Sequence, residues 1–426
     1  MTEISTAPEA ADLANLALAG EYDVLQRAKT PDTPENFRAA WQPSAAALIA
    51  AAQPFRQALP WPPTATPRVG FFVPTPGMLA HTVNLRTLVR GLAGSGTAIE
   101  PYIYTLMLQG PEPAFAASFP AARYGVGVTE LDGLLDIRRQ AIADHLTAMV
   151  FVSTPFRMAF MSAMGVAPLH IWWAHKWHGL ELPHLDGYLD ACHPFQDRAV
   201  IDGREWRCTY TALPELFDVS RAADAAALRL KLPAKIVFGT MCRGEKHTPD
   251  HAAVVGAVLS RVPDSIYCYA GRERLPWLEE QLAAFTGRVA YIGWVDTGLW
   301  AQVLDVYLDK FPFQSGHTAF QVMAALKPVV WLDDGLYNDE QGVTDILKKT
   351  GPGHGVRWAT TPAAYVDMAV ALANNPLART AAGAANRAFI DNFMRDEKRM
   401  ARSVSAAIMD IIAAKKAASP PTPPPV

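Results

Sequence analysis

Two short segments of the 426-residue sequence combine residue types that bind anions. One reads CRGEKHTP and places Arg243 and Lys246 just before a proline that can open a helix capped by Thr248. The other reads SGHT, at Ser315–Thr318, between a buried strand and a helix. Backbone N–H groups at a helix N-terminus bind phosphate, and Gly316 lets a ligand approach closely. Together the segments predict a pyrophosphate site.

Each segment also has a plainer interpretation. Arg243 and Lys246 could be solvated loop charges, which are common on protein surfaces. Ser315 or Thr318 could cap a helix that binds nothing. The occurrence of both segments in one predicted sheet favours the anion site. It is not a P-loop, since G-x-x-x-x-G-K-[ST] is absent, and the lack of G-x-G-x-x-G after the first strand argues against a nicotinamide cofactor.

Two other strand ends carry unusual residues. The segment YIGWVDT offers an apolar rim and backbone groups that could accept a nucleobase, although core packing is the favoured interpretation for Trp294. In the segment WLDDGLYNDEQ, the acidic and amide side chains could orient sugar hydroxyls, but solvated turn residues are the commoner arrangement. These side chains belong to Asp333, Asp334, Asn338, Asp339 and Glu340.

A histidine follows the first predicted strand. The segment PTPGMLAHTVNL places His81 at the start of a helix, where it would face a cleft between two sheets. An imidazole in that position could remove a proton from an acceptor. A capping or packing histidine is the other interpretation, and the residues alone leave both open.

A segment rich in histidine and tryptophan, residues 169–195, could bind a second substrate. It contains His175, Trp177 and His178, and tryptophan offers a large apolar face with one N–H donor. A zinc site would need ligands such as His175, His178 and Cys192, whose spacing matches no regular zinc pattern. An aromatic loop that binds a neutral acceptor or a sugar is therefore favoured, with several of the tryptophans buried as core.

Short apolar segments that alternate with helical ones must position these residues. Continuous apolar strands between helices are typical of parallel sheets covered on both faces. We expect two doubly wound α/β domains that bind ligands beyond the carboxyl ends of their strands. The predicted strands are 68–73, 99–106, 148–153 and 169–173 in the first domain, and 235–241, 265–270, 288–293, 306–311, 328–332 and 355–359 in the second.

Four regions are predicted along the chain. Residues 1–66 form an N-terminal helical segment and a proline-rich linker. Two Rossmann-like domains follow at 67–230 and 231–414, the second closed by long C-terminal helices. Residues 415–426 form a Pro-rich tail that we expect to be disordered.

The composition is typical of a cytoplasmic protein. Half of the residues are hydrophobic, yet no run of 18 apolar residues predicts a transmembrane helix. The N-terminus lacks the pattern of a signal peptide. The four cysteines form no C-x-x-C pair, as expected in a reducing compartment. A net charge of −3 gives no electrostatic reason to expect a nucleic-acid partner.

Five blocks, in the right order, resemble the GT-B glycosyltransferases, and most closely the O-GlcNAc transferase family with its bacterial relatives that N-glucosylate adhesins. The block DKFPFQSGHTAFQVMAALKPVVW is similar to the family's strand, glycine turn and helix. The other blocks are FGTMCRGEKHTPDHAAVVGAVLSRVPDSIYCYAG, RVAYIGWVDTGLWAQVLDVYLD, APLHIWWAHKWHGLELPHLDGYLD and PGMLAHTVNL.

The resemblance implies a role for each matching position. Lys246 would neutralise the diphosphate of the donor, and Arg243 would take the place of another donor contact. His317, Thr318 and the adjacent N–H groups, in the turn with Ser315 and Gly316, would form the pyrophosphate cradle. The main chain at Val295 would meet the uracil. His81 falls near a histidine of the active-site cleft, and His175, Trp177 and His178 would lie on the acceptor side.

Two departures from the family pattern stand out. Gln321-Val322 replaces the acidic residue that holds the ribose, so the ribose contact is open. Residues 1–66 show no 34-residue period, so we do not expect them to form the family's array of TPR repeats.

The function implied by the resemblance is transfer of a hexose or N-acetylhexosamine from a UDP-sugar to a protein or a surface glycan. No metal is expected, because Lys246 and the helix at Ser315–Thr318 would stabilise the departing diphosphate. A UDP-sugar 2-epimerase of the same fold and a non-catalytic GT-B binding partner are the alternatives. A homo-oligomer is left open.

Overall fold

The structure is a computed structural model, and it describes most of the chain in two compact units. The described residues are 8–20, 24, 34–96, 98–107, 110–152, 155–175, 180–191, 197–201, 203–214, 221–312, 314–333, 346–348 and 352–418. The first unit comprises Met1–Ala212 and Glu397–Val426, and the second comprises Leu213–Asp396.

Helices and strands alternate in both units. The α-helices are α1 (Pro8–Ala19), α2 (Pro34–Ala52), α3 (Ala80–Leu92), α4 (Pro113–Ser118), α5 (Glu130–Ala143), α6 (Pro155–Met164), α7 (Ala222–Arg229), α8 (Pro249–Arg261), α9 (Pro276–Gln281), α10 (Thr297–Val303), α11 (His317–Ala324), α12 (Pro362–Asn374), α13 (Pro376–Phe393) and α14 (Glu397–Ala418). Short 3-10 turns lie at Gln53–Phe55, Gly244–Lys246, Ala283–Phe285 and Pro352–His354.

The first unit contains an eight-stranded sheet with the order β3-β2-β1-β4-β5-β6-β8-β7. Its strands are β1 (Arg68–Val73), β2 (Glu100–Leu106), β3 (Arg123–Gly125), β4 (Ala148–Val152), β5 (Leu169–Ala174), β6 (Gly187–Asp190), β7 (Arg198–Ile201) and β8 (Arg204–Cys208). All neighbours pair in parallel except β7 and β8. Every residue of β4 and β5 is buried, and since successive side chains point to opposite faces, both faces are covered.

The second unit contains a five-stranded, fully parallel sheet with the order β11-β10-β9-β12-β13. Its strands are β9 (Ile236–Met241), β10 (Ser265–Ala270), β11 (Val289–Tyr291), β12 (Val306–Leu308) and β13 (Val329–Val330). Phe238 and Tyr267 belong to one hydrophobic core, and their neighbours Val237 and Ile266 belong to another. A core on each face is the arrangement of a doubly wound sheet, as predicted.

The predicted strands agree closely with β1, β2, β4, β5, β9 and β10, whose residues form long apolar runs. The short strands β3, β6, β7 and β8 were not predicted. The predicted strand at 355–359 is wrong, because only Ala359 bridges to Leu332 and Gly355 has a φ of 72°, which interrupts an extended backbone.

The C-terminal helix α14 belongs to the first unit, whereas the predicted boundaries placed residues 231–414 in the second domain. Arg90 in α3 forms an ion pair of 2.9 Å with Glu397 at the start of α14. Gly91 lies so close that an added Cβ would sit 2.2 Å from the Glu397 carbonyl oxygen. The helix runs to Ala418, so the first residues of the predicted tail are helical.

No helix among the described residues combines the length and the apolar character needed to cross a membrane.

The close approach of α3 to α14 gives a stability prediction. Gly91→Ala should lower the free energy of unfolding by about 1–3 kcal/mol, because the new methyl group would press on the backbone of Glu397. Urea unfolding measures this. Gly94→Ala is the matched control, since its nearest neighbour would be Lys398 Cε at 3.9 Å, an ordinary contact. Equal stability of the two variants would contradict the packing of α14 on α3.

Candidate functional site

The two predicted anion-binding segments leave neighbouring strands at the same edge of the second sheet. β9 and β12 pair in parallel with Tyr307 opposite Gly239. The segment with Lys246 follows β9, and the turn at Ser315–Thr318 follows β12. Adjacent parallel strands lie about 4.8 Å apart, so their carboxyl ends bring the two segments together.

The segment after β9 is a compact turn that leads into α8. Lys246 donates its backbone N–H to the carbonyl of Arg243 at 3.1 Å, with Arg243 exposed and Lys246 partly buried. The hydroxyl of Thr248 accepts the N–H of His251 at 3.2 Å, which confirms the predicted cap. The same hydroxyl donates to the carbonyl of Phe311 at 2.9 Å. Thr248 therefore joins the lysine-bearing segment to the chain that follows β12.

The turn after β12 leads into α11 without a side-chain cap. The N-cap residue is Gly316, which is exposed and has no side chain to accept a hydrogen bond. A Cβ added there would meet nothing within 4 Å. His317 and Thr318 are the first two residues of the helix and are partly buried. The alternative in which Ser315 or Thr318 caps this helix is therefore wrong.

Ser315 lies beneath this turn rather than on its surface. Its backbone N–H donates to the carboxylate of Asp309 at 2.8 Å, and its hydroxyl accepts a hydrogen bond from Lys310 Nζ at 2.7 Å. The hydroxyl of Tyr307 lies 3.0 Å from the same oxygen. Asp309, Lys310 and Ser315 are all buried. These contacts place the polar groups of Ser315 inside the protein, which the sequence did not indicate.

Two neutral histidines lie behind the segment that carries Lys246. Burial, and then the nearby charge of Lys310, lowers the pKa of His247 to about 3. Burial also lowers the pKa of His251, whose ring nitrogens both lack a hydrogen-bond partner among the described residues. The Cys242 thiol lies 3.3 Å from His247 Nε2. At neutral pH this cluster contributes no histidine charge to the anion-binding edge.

The end of β11 presents an exposed tryptophan. Trp294 is 66% exposed, so the interpretation that it packs in the core is wrong. The guanidinium of Arg272, which follows β10, lies 5.3 Å from the centre of its ring. Val295 is the next residue, partly buried, and Asp296 caps α10 by accepting the N–H of Leu299 at 3.1 Å. A flat aromatic face thus lies two strands away from Lys246 along the same edge.

Gln321, in the position where the resemblance leads one to expect an acidic residue, joins two helices. Its side-chain carbonyl accepts the hydroxyl of Thr297 at 2.6 Å, which links α11 to the start of α10. Of the predicted acidic cluster after β13, Asp333 forms an ion pair of 2.6 Å with Lys348. The rest, from Asp334 to Glu340, lies outside the described residues.

His81 lies in the first turn of α3, in the first unit. Burial lowers its pKa to about 4, and its Nε2 has no hydrogen-bond partner among the described residues. The preceding loop is held by Glu112, whose carboxylate accepts the N–H of Met78 at 2.8 Å and whose own N–H donates to Pro76 at 3.0 Å. The imidazole is therefore neutral, as a proton acceptor must be, although desolvation also weakens it as a base.

The histidine-rich segment is described in part. His175 is half-buried and packs 4.7 Å from the ring of Trp173, which is fully buried, as Trp172 is. Trp177 and His178, with Cys192, lie outside the described residues, so the acceptor-side prediction and the zinc alternative stay untested. Among the residues that are described, no group of three or more His, Cys, Asp or Glu side chains could hold a metal ion.

Solved structures share this architecture. A mutant of the Thermobaculum terrenum O-GlcNAc transferase has a TM-score of 0.66 at 15% identity, with 96% of this chain and 83% of that one covered. The glycosyltransferase from Rickettsia africae ESF-5 has a TM-score of 0.53 at 12% identity, covering 84% and 100%. A putative UDP-N-acetylglucosamine 2-epimerase from Listeria monocytogenes has a TM-score of 0.47 at 12% identity, covering 84% and 98%. No family model and no curated protein matches.

The fold is of the GT-B type. This confirms the predicted fold class, with two α/β units that each contain a largely parallel sheet. In this GT-B chain, the segments with Lys246 and with Ser315–Thr318, together with Trp294, all belong to the second unit, and His81 belongs to the first.

The buried histidines predict a loss of stability in acid. Burial lowers the pKa of His81, His170, His247 and His251, so below about pH 6.5 the unfolded chain binds protons that the folded chain does not. As the pH falls below 6.5, each group lowers the free energy of unfolding by about 1.4 kcal/mol per pH unit until its folded-state pKa is reached, about 4 for His81 and His170 and about 3 for His247. The raised pKa of Asp309 acts in the opposite direction.

Unfolding in urea at pH 7.5 and pH 5.5 measures this dependence. His251→Leu removes a buried imidazole that has no described partner, so we expect stability at pH 7.5 to be kept and the acid dependence to fall by about one proton. An unchanged pH dependence in this variant would show that His251 is not held neutral by the fold.

Proposed function

We propose that this protein is a glycosyltransferase that moves a hexose or N-acetylhexosamine from a UDP-sugar to a protein or surface-glycan acceptor. The observation that carries the proposal is the pairing of the Lys246 segment with the Ser315–Thr318 turn at adjacent strand ends, joined by the hydrogen bond from Thr248 to Phe311. The GT-B fold supports it.

The second unit offers the chemistry that a departing nucleoside diphosphate requires. In transfer, the bond between the sugar C1 and the β-phosphate oxygen breaks, and negative charge develops on that oxygen. Lys246, with Arg243 nearby, would neutralise this charge, and the first N–H groups of α11 at His317 and Thr318 would donate to it. Fixed positive groups of this kind stabilise the leaving group without a metal ion, so we propose that none is required.

The base end of the donor would lie along the same edge, toward β10 and β11. Two strand spacings separate β9 from β11, about 10 Å, which suits the length of a nucleoside diphosphate. The main chain at Val295 would meet the uracil, as the family resemblance implies. Gln321 accepts the hydroxyl of Thr297, two residues after Val295, but it carries no charge with which to hold a ribose.

On the acceptor side we propose His81 as the group that takes the proton when the acceptor atom bonds to the sugar C1. Its neutral imidazole and its Nε2, which lacks a described partner, support this role. His175, Trp177 and His178 are proposed as acceptor contacts. A UDP-sugar 2-epimerase would instead need carboxylates aimed at the sugar C2, and Asp333, the one described acid of the predicted cluster, is paired with Lys348.

Purified protein incubated with UDP-GlcNAc, UDP-glucose and UDP-galactose, with and without an extract of acceptors, tests the function. UDP release that needs an acceptor identifies a transferase. A change of sugar configuration without acceptor would identify an epimerase, and the absence of both would identify a binding module.

Lys246→Ala should reduce the rate of UDP release by roughly 100-fold or more, the usual effect of losing one group that stabilises transition-state charge. The unfolding midpoint should hardly change, since Lys246 is only partly buried. Lys235→Ala is the matched control and should keep full activity. Lys235 directly precedes the first residue of β9, at the end of the strand away from Lys246, and its side chain is 82% exposed. Near-normal turnover in Lys246→Ala would remove Lys246 from the mechanism.

His81→Ala should reduce acceptor-dependent UDP release by about 100-fold, the effect expected when a general base is lost. Binding of UDP, measured by calorimetry, should stay unchanged because the donor groups belong to the second unit. His81→Asn keeps a polar side chain that cannot take a proton, and it should be equally impaired. If either substitution lowers stability as much as activity, the histidine has a packing role instead.

A further inference from the structure

A buried ion pair lies directly under the turn that we assign to the diphosphate. Asp309 and Lys310 are the two residues that follow β12, and both side chains are 0% exposed. Lys310 Nζ lies 3.4 Å from the carboxylate of Asp309. Two charged side chains in succession at full burial are rare in proteins, because each loses its hydration.

The side chains of both members of the pair form hydrogen bonds with the same residue, Ser315. Asp309 accepts the backbone N–H of Ser315 at 2.8 Å, and Lys310 donates to the hydroxyl of Ser315 at 2.7 Å. The hydroxyl of Tyr307 also lies 3.0 Å from that oxygen. Ser315 is thus held through its main chain and its side chain at once, one residue before Gly316, the N-cap of α11.

The pair is also connected to the segment on the neighbouring strand. Thr248 donates to the carbonyl of Phe311, the residue after Lys310, and the charge of Lys310 contributes to the lowered pKa of His247. Lys310 therefore lies between the turn at Ser315–Thr318 and the segment that carries Lys246. Any shift of Asp309 or Lys310 would move the helix end relative to that lysine.

Stability alone is a weak reason for such a pair. Replacing a buried ion pair by apolar residues of similar volume is often neutral or stabilising, because the cost of desolvating two charges offsets their attraction. What an apolar pair could not do is fix the direction of the Ser315 main chain, through Asp309, and of its hydroxyl, through Lys310. These contacts therefore suit a turn, Ser315–Thr318, whose geometry must be fixed.

We propose that Asp309 and Lys310 are positioning residues that hold the Ser315–Thr318 turn in the shape that receives the β-phosphate of a nucleoside diphosphate. This inference rests on the proposed function. The pair does not touch the ligand; it acts through Ser315. It therefore affects recognition of the β-phosphate and leaves recognition of the nucleoside and the α-phosphate largely unchanged.

Calorimetry with UDP and with UMP separates these effects, because the Kd for UMP divided by the Kd for UDP reports the interaction with the β-phosphate. Lys310→Met removes the ammonium group and keeps the length of the side chain. We expect its UDP affinity to fall about tenfold and its UMP affinity to stay within twofold. A structural role that loosened the whole unit would weaken both ligands together and keep the ratio.

Two further variants complete the experiment. Lys327→Met removes another largely desolvated lysine, one that precedes β13 at the opposite edge of the same sheet, and should keep the wild-type ratio. Ser315→Ala removes the oxygen that Lys310 binds, with little change of volume, and should lower the ratio even if Lys310→Met fails to fold. Because Lys310 acts through Ser315, the variant that carries both Lys310→Met and Ser315→Ala should bind UDP no more weakly than Lys310→Met alone.

The outcomes are distinct. A wild-type ratio in both Lys310→Met and Ser315→Ala, or an equal loss of UDP and UMP affinity, would overturn the positioning role while the proposed function stands. Failure of the wild-type protein to bind UDP at all would refute the proposed function itself, before any variant is compared.

Discussion

The parallel pairing of β9 with β12 is the constraint from which the candidate site follows. With Tyr307 opposite Gly239, the two strands end at the same edge, and the chain must leave both in the same direction. The segment that follows β9 carries Lys246, and the segment that follows β12 forms the turn at Ser315–Thr318. The hydrogen bond from the Thr248 hydroxyl to the Phe311 carbonyl then fixes these two segments relative to one another. The strand pairing thus brings a cation and a helix N-terminus together, and the side chain of Thr248 holds them in place.

Burial divides the charges of this region into two groups. His247 and His251 are held neutral by desolvation, whereas Lys310 keeps a buried partner in Asp309. The positive charge at the carboxyl edge of the second sheet comes instead from Arg243, which is exposed, and from Lys246, which is partly buried. The interior thus provides shape, and the surface provides the positive field. This separation suits an anion site, because fixed geometry lets a few charges act without reorganisation.

Much of the architecture could be predicted from the sequence, because long apolar runs such as β1 and β9 and local signals such as Thr248-Pro249 depend on near neighbours. The hairpin β7–β8 was missed because its strands are short and rich in charged residues. The place of Ser315 could not be predicted either, since it depends on buried contacts with Lys310 and Asp309. The exposure of Trp294 was hidden for a similar reason: apolar character does not reveal where a strand end meets solvent.

The division of candidate groups between the two units bears on how such a protein could evolve new specificity. Every residue proposed for the donor lies between Arg243 and Thr318, within the second unit, and the buried pair that shapes its phosphate end lies there too. His81 and the histidine-rich segment belong to the first. Under the proposed function, substitutions in the first unit therefore change the acceptor without disturbing the hydrogen bonds that hold Ser315 in the second. Under the same proposal, the second sheet acts as a chemical module in which the helix end and Lys246 serve any acceptor that the first unit admits.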